Sequence, residues 1–451
     1  VKRFSGILFF LIALLPFLVM VFMRDDAERE PIGSVDAVLK IVSPHRREMR
    51  QEYSRAFWEW MLREHGKRVR IEWLDVGGTS KMLKDLDSRF SANPDSVGVD
   101  LMFGGGVDPF MQAADLGWLV PMNLPEETLV GIPRFCAGFP VYDEEEHWIG
   151  VALSAFGIVY NRVLISRMGL VEPKLWKDLG DPEMWSWIGS GDPRSSGSVH
   201  MCYEIVLQAY GFEQGWALIT RICANVRRFG EGGGDAPREV ASGEVAAGMV
   251  IGQYAQTVID SVGEDALNFV VPEDAAMIGA DSIAIVKGTK HFDLARMFVC
   301  YALSEEGQRL LYQPAGVNGQ RHALHRMPVL EFLYHQPDAP AARPYEVKAS
   351  FKYDSVLGSK RRRLVNDLIG TCLIDAHAEL TSVWRAVITA GMPDDLVRRL
   401  CASPVSEQEM NMLAEKWQDS RKRLEVMKAW SRQVRERYRA IEAEAFQRKA
   451  E

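Results

Sequence analysis

What the chain lacks narrows its chemistry first. It has no Gly-x-Ser-x-Gly elbow, no phosphate loop ending in Gly-Lys-Ser/Thr, no His-Glu-x-x-His pair and no Gly-x-Gly-x-x-Gly after a strand. The common nucleophilic, nucleotide-hydrolysing, zinc-hydrolytic and dinucleotide arrangements are therefore absent, and no catalytic machinery is visible. Six cysteines (Cys136, Cys202, Cys223, Cys300, Cys372, Cys401) are widely scattered, which is neither a zinc-ribbon nor a redox spacing, and they read as small buried hydrophobes. Positive charge is not in excess: 53 basic against 61 acidic side chains leave a net −8, which argues against nucleic acid as a partner.

What is present is an ordinary globular composition, 47% apolar and 25% charged over 451 residues. That length suits two or three structural units. Residues 6–23 form one uncharged apolar run between Lys2-Arg3 and Arg24-Asp25-Asp26. A helix needs about 17–25 apolar residues to span a bilayer, and no small-x-small triplet closes this run. It is expected to be an uncleaved inner-membrane anchor, with the remainder translocated to the periplasm.

From Val38 the pattern alternates strands and amphipathic helices: strand 38–42, helix 46–65 with Met49, Tyr53, Phe57, Trp60 and Met61 on one face, strand 69–74, helix 81–90, strand 99–103 and helix 108–116. Such β-α units in series predict an open, largely parallel sheet with ligand collected beyond the strand ends. Those ends are Ser43-Pro44-His45, Gly77-Gly78-Thr79-Ser80 and Gly104-Gly105-Gly106, small or polar segments that admit a ligand to backbone amides or simply make turns. A second α/β block spans 157–265, strands follow at 267–271 and 282–286, and one helix is expected over 292–311. Beyond Gln313 the chain becomes helical, with Lys360-Arg361-Arg362-Arg363 as a solvated or lipid-facing basic run. A three-four apolar stripe from Met410 to Ala445 reads as one long helix docked on the lobes or on a partner.

Five segments in register carry a family resemblance. Gly157-Ile158-Val159-Tyr160-Asn161, Pro173 to Leu179, Asp192-Pro193-Arg194-Ser195-Ser196-Gly197-Ser198, Ser242 to Gly248, and Ile283 to Gly288 with Phe298 to Leu311, resemble motifs of bacterial extracellular solute-binding proteins, the type 2 periplasmic class, in its ferric-ion, phosphonate and sugar-phosphate branch. The resemblance covers residues 38–325. It implies an α/β, two-lobed type 2 periplasmic-binding-protein-like fold with a central interlobe cleft, to which are added the N-terminal membrane helix and a C-terminal helical extension. The expected division is 1–23 anchor, 38–148 with 272–330 lobe 1, 149–271 lobe 2 and 331–451 extension, with crossovers at Trp148–Ser154 and Phe269–Pro272. It also implies an ABC permease and ATPase as partners.

Two ligand chemistries follow from that branch. Ferric-binding members use an N-terminal His, a carboxylate after the third strand and adjacent tyrosines. His45 and the single Tyr254 fit, with ferric ion as ligand if Asp108 or a bound anion supplies what Gly104–Gly106 does not. An oxyanion suits the remainder better. Ser195, Ser196, Gly197 and Ser198 open a helix whose free N–H groups favour a phosphate or carboxylate, and Gly232, Gly233 and Gly234 form a second amide nest opposite. Arg194 and Arg238 stand beside these turns for bidentate contacts, and His45, Thr79, Ser80, Gly105, Ser154, Tyr254, Asp281 and Ser282 complete the expected cleft. The expected function is capture of a small anion or phosphorylated organic solute for import. The rivals are a ferric-binding protein and a sensor or structural protein built on the same fold.

Overall fold

The computed structural model describes residues 34–348 and 350–450. The anchor expected over residues 6–23 lies outside the described residues, and among these no helix is long and apolar enough to cross a membrane.

The first sheet is built around β1 (Ala37–Val42), which pairs in parallel with β2 (Val69–Leu74) and β3 (Leu101–Phe103). Helices α1 (Arg47–His65), α2 (Thr79–Ala92) and α3 (Asp108–Asp115) connect or follow these strands. In α1 a four-residue spacing carries Met49, Tyr53, Phe57 and Met61 into the core. Burying each such side chain stabilises by roughly 1.5–3 kcal/mol. The helix stops at Gly66, whose φ of 64° is the left-handed conformation that lets its N–H reach the Leu62 carbonyl.

The lobes share one long strand, β4 (Ile149–Asn161), whose thirteen residues are all buried. A mostly apolar run of this kind, here interrupted by Ser154 and ended by Asn161, is what a strand covered on both faces requires. Its second half pairs with two strands of the second block, so lobe 2 can be set out in chain order. That block comprises β5 (Ile188–Gly191), α4 (Gly197–Ala209), α5 (Phe212–Asn225), β6 (Val226–Gly230), α6 (Asp235–Ser242), β7 (Ala247–Ile251), α7 (Gly252–Val262) and β8 (Leu267–Val270). Residues 156–161 of β4 pair antiparallel with β7 and β8, while residues 149–155 pair with β9 (Ile278–Val286), which lies beside β3. The two sheets are thus β2-β1-β3-β9-β4 and β4-β7-β5-β6, joined at β4. The return crossing expected at Phe269–Pro272 falls later, because Leu267–Val270 is held within the lobe 2 sheet and the chain goes back through β9. The helix expected over 292–311 is two, α8 (Phe292–Leu303) and α9 (Glu305–Arg309), divided where Ser304 caps the second by accepting from the Gly307 N–H at 3.2 Å.

The extension comprises α10 (Ser355–Ile369), a single π turn, α11 (His377–Thr389), α12 (Asp394–Leu400), α13 (Glu407–Ala414) and α14 (Ser420–Ala450). The stripe from Met410 is therefore broken, Asp419 accepting from the N–H groups of Arg421 and Lys422 at the start of α14. The part on α14 buries Val434, Tyr438, Ile441 and Ala445, and α14 lies along α11. In turn α11 docks on lobe 2, where the Trp384 indole donates to Asn225 at 2.8 Å.

The basic run is not a solvated face: Arg361 and Arg362 are 1% and 3% exposed. Helical periodicity turns them inward from α10, and Arg361 pairs with buried Glu204 of α4 at 2.7 Å. On the lobe 1 side, Tyr353 donates to Asp108 at 2.6 Å and Ser359 to the Asp108 carbonyl at 3.3 Å. The extension thus grips both lobes. Five of the six cysteines are buried and none is paired.

Candidate ligand-binding cleft

Between the lobes lies a cavity of about 430 Å³. Two adjoining turns of lobe 2 form one wall. At the start of α4 the Ser196 hydroxyl accepts from the Val199 N–H and lies 3.3 Å from the Ser198 hydroxyl. Beside it, Gly232–Gly234 curve into α6, with the Asp235 carboxylate accepting from the Gly232 N–H at 2.8 Å. A Cβ at 233 would meet the Ser198 hydroxyl and force it to rotate. The sequence reading set these turns opposite one another. They are instead neighbours on one lobe, since the Ser195 hydroxyl bonds the Glu231 carbonyl.

Lobe 1 supplies the facing wall through Pro44–Arg46, Gly78–Thr79, Lys81 and Gly105–Gly106. Arg46, the N-cap of α1, reaches across. Its guanidinium carbon stands 3.8 Å above the Tyr254 ring and its Nη2 crowds Gly234. The jaws also touch at the rim, where Gly78 meets the Ser195 carbonyl and Gly197 meets Thr79. A Cβ at Gly197 would come within 2.7 Å of the Thr79 hydroxyl oxygen.

The floor is a buried ionic set. Asp281, on β9, hydrogen-bonds His45 Nε2 at 2.7 Å, accepts from the Gly105 N–H at 2.7 Å and pairs with Arg326. Burial alone would raise the Asp281 pKa. The Arg326 charge, His45 and the Gly105 amide outweigh it and hold the carboxyl well below the usual range. Burial also lowers the His45 pKa, against the pull of Asp281. His45 Nδ1, Ser154 Oγ and Gln253 Oε1 are buried polar atoms of the cleft without a protein partner.

The cleft therefore gathers His45, Thr79, Gly105, Ser154, Ser195, Ser196, Gly197, Ser198, Gly232, Gly233, Gly234, Tyr254 and Asp281, together with Arg238. Ser80, Arg194 and Ser282 fall outside its lining. Ser80 turns its hydroxyl to the Pro193 carbonyl, and Ser282 is wholly enclosed. Arg194 is held by Asp192 and Asp375 at 2.7–3.0 Å. Burial works against its charge, but the hydrogen bonds it donates to Asp375 and Asp192 prevail and tighten its proton. Asp108 does not reach the cleft either. It is buried behind α3 against Tyr353, where burial pushes its carboxyl up to about 7 despite the opposing pull of that hydroxyl and of Arg362. Sequence reasoning missed Arg46, Lys81, Arg326 and Gln253. For Arg46 the available signal was its place directly after a strand-end loop already marked as ligand-facing.

The lining carries four cationic side chains, Arg46, Lys81, Arg238 and Arg326, against three carboxylates, of which Asp235 and Asp281 are engaged by Arg238 and Arg326. Arg46 and Lys81 are left facing Glu231 alone. With the amide turns, these side chains give the cleft a cationic wall beside an apolar patch of Phe156, Met201 and Ile251.

The geometry defines a two-lobed binding protein, and comparison with known proteins agrees. Residues 100–319 match the family described as bacterial extracellular solute-binding protein. A protein of Haemophilus influenzae is 27% identical over 227 residues, 50% of this chain and 64% of that protein. The phosphoglycerate transport regulatory protein PgtC of Salmonella typhimurium is 28% identical over 242 residues, 54% of this chain and 57% of that protein. The chain thus spans less than two thirds of the length of these curated relatives. Among solved structures, the periplasmic binding protein AfuA from Actinobacillus pleuropneumoniae, with exogenous fructose-6-phosphate bound, has a TM-score of 0.61 at 21% identity, covering 75% of this chain and 99% of that one. Iron-bound HitA from Pseudomonas aeruginosa has 0.58 at 20%, covering 74% and 99%. At such identities the likeness is one of fold, the mixed α/β two-domain fold of periplasmic binding proteins.

Proposed function

We propose that the chain is the periplasmic solute-capturing component of an ABC import system, and that it holds a small phosphorylated organic anion in the interlobe cleft without transforming it. The observation that carries this reading is Arg46 of lobe 1 set against Tyr254 and the Gly232–Gly234 turn of lobe 2, facing the start of α4. A guanidinium, an ammonium and two amide turns meeting from both lobes suit a phosphate group, and closure on it follows from contacts that only the closed form makes. The same observation disfavours ferric ion as the ligand. Tyr254 carries a cation on its ring, Asp281 is committed to His45 and Arg326, and Asp108 points elsewhere, so a hard trication would meet more positive charge than anionic oxygen.

One feature favours a regulatory variant of this role. The extension holds α3 of lobe 1 and α4 of lobe 2 together through Asp108 and Glu204, so any hinge motion is transmitted to the C-terminal helices. A relative named as a transport regulatory protein is consistent with a sensor that reports cleft occupancy.

The test is a thermal-shift screen of the purified chain against hexose phosphates, a phosphoglycerate, phosphonates, inorganic phosphate, thiamine and ferric citrate. Stabilisation by phosphate esters is expected. Stabilisation by iron alone, abolished in Tyr254→Phe, would overturn the proposal.

A further inference from the structure

A second cavity, of about 120 Å³, lies beside the cleft in the seam between α2 and α3 of lobe 1 and the extension, Ser80 and Arg194 of its lining being chain neighbours of the cleft's Thr79 and Ser195. Its cationic lining is dense: Lys84 from α2, Arg362 and Arg363 from α10, Arg423 from the first turn of α14, and Arg194 at the edge. The carboxylates present are Asp87, which is exposed, and Asp367, which already accepts from the Trp417 indole at 2.8 Å and stands 3.8 Å from Arg423 Nε.

Two guanidinium nitrogens in this lining, Arg362 Nη2 and Arg423 Nη1, are buried and have no hydrogen-bond partner, and Arg362 is 3% exposed. Arg363 donates to Gln418 at 3.1 Å, and both its burial and the neighbouring Arg423 charge oppose its proton. Desolvated, like-charged guanidinium groups with unmade hydrogen bonds are costly unless an anion or water supplies acceptors. Asp108 acts on Arg362 only through its charge, and neither Arg362 Nη2 nor Arg423 Nη1 is hydrogen-bonded to a carboxylate, as Arg361 one residue away is to Glu204. The space is ample for several waters or a compact oxyanion.

We infer that this seam is a second anion site, taking a free phosphate-type dianion between lobe 1 and the extension. It shares no lining residue with the cleft. The bound anion would join Lys84 of lobe 1 to Arg363 and Arg423 of the extension, fastening the extension to that lobe.

Equilibrium dialysis of the full chain against labelled inorganic phosphate tests this, with Trp118 in the cavity wall, stacked 5.2 Å from Phe90, as a fluorescence reporter. The expected result is saturable binding that falls at least tenfold in Arg363→Met/Arg423→Met, persists in Arg46→Met, and gives a fluorescence change lost in Trp118→Phe. Lys84→Glu, at an exposed position where folding is not at stake, should weaken it in the same direction. Vesicles containing phosphatidic acid separate two sources of the same chemistry: binding that falls with these variants assigns a lipid headgroup, and its absence assigns a free anion. No saturable phosphate binding, or binding untouched by both seam variants and lost in Arg46→Met, would overturn the inference and leave the cleft reading standing. A cleft failure has its own signature, phosphate-ester affinity unchanged in Arg46→Met.

Discussion

Arg46→Met is the substitution with the most to say about the cleft, because it removes the cross-cleft charge while keeping the length of the side chain. A hydrogen bond to a charged group contributes about 1.5–3 kcal/mol, so a loss near 2 kcal/mol raises the Kd of a phosphate ester about thirtyfold. At a ligand concentration of a hundred times the original Kd, linkage stabilises the parent protein by about 2.7 kcal/mol, and the variant, now near three times its own Kd, by only about 0.9 kcal/mol. With an unfolding entropy of about 2 cal/mol/K per residue over this length, those values correspond to Tm shifts of about 3 °C and about 1 °C. Arg46 is only half-buried, and its stacking on Tyr254 is worth about 0.5–1 kcal/mol, so the unliganded Tm should fall by about 1 °C at most. Calorimetry and thermal shift on both proteins, with the same ester, give the two numbers. An unchanged Kd alongside a lowered unliganded Tm would refute the reasoning, since Arg46 would then be a structural clasp and not a ligand contact.

Other consequences can be checked together. Gly197→Ala places a methyl group 2.7 Å from the Thr79 hydroxyl oxygen, so the jaws should be propped apart, with a larger radius of gyration in solution scattering and weakened ester binding. Arg361→Met strands the buried Glu204 carboxylate and should cost about 3–5 kcal/mol in denaturant unfolding, whereas Arg361→Met/Glu204→Leu should recover much of that loss. Asp108 keeps its proton in the folded chain up to about pH 7, while an unfolded Asp loses it near pH ~4. The folded state therefore binds more protons in between, and this group's contribution falls as pH rises through that window. Asp108→Asn should remove that limb of the stability–pH curve, and an identical slope in the variant would show that another group sets it.

Much of the scaffold was legible because its signals are local. Strand β2 and helix α1 follow from apolar spacing, and the two amide turns of lobe 2 follow from clustered glycine and serine after strands. What was misread depends on partners far away in the chain. Arg194 looks like a free anion contact until Asp375, 181 residues on, takes it. The Lys360–Arg363 run looks solvated until Glu204 and Asp108 are seen beneath it, and Arg46 carries no local signal beyond its place after a strand-end loop, its partner Tyr254 lying over 200 residues on. The stripe beyond Met410 carried the right period, but Asp419 at the start of α14 interrupts it.

The most direct test of the central claim is isothermal titration of the purified chain with a hexose phosphate and, in parallel, with the same hexose lacking its phosphate. The account predicts one saturable site for the ester, little or no heat from the parent sugar, and an affinity that falls as salt is raised. Equal binding of the two sugars would contradict it, because the cleft would then be recognising the uncharged body and the gathered amides and cations would have no anion to hold.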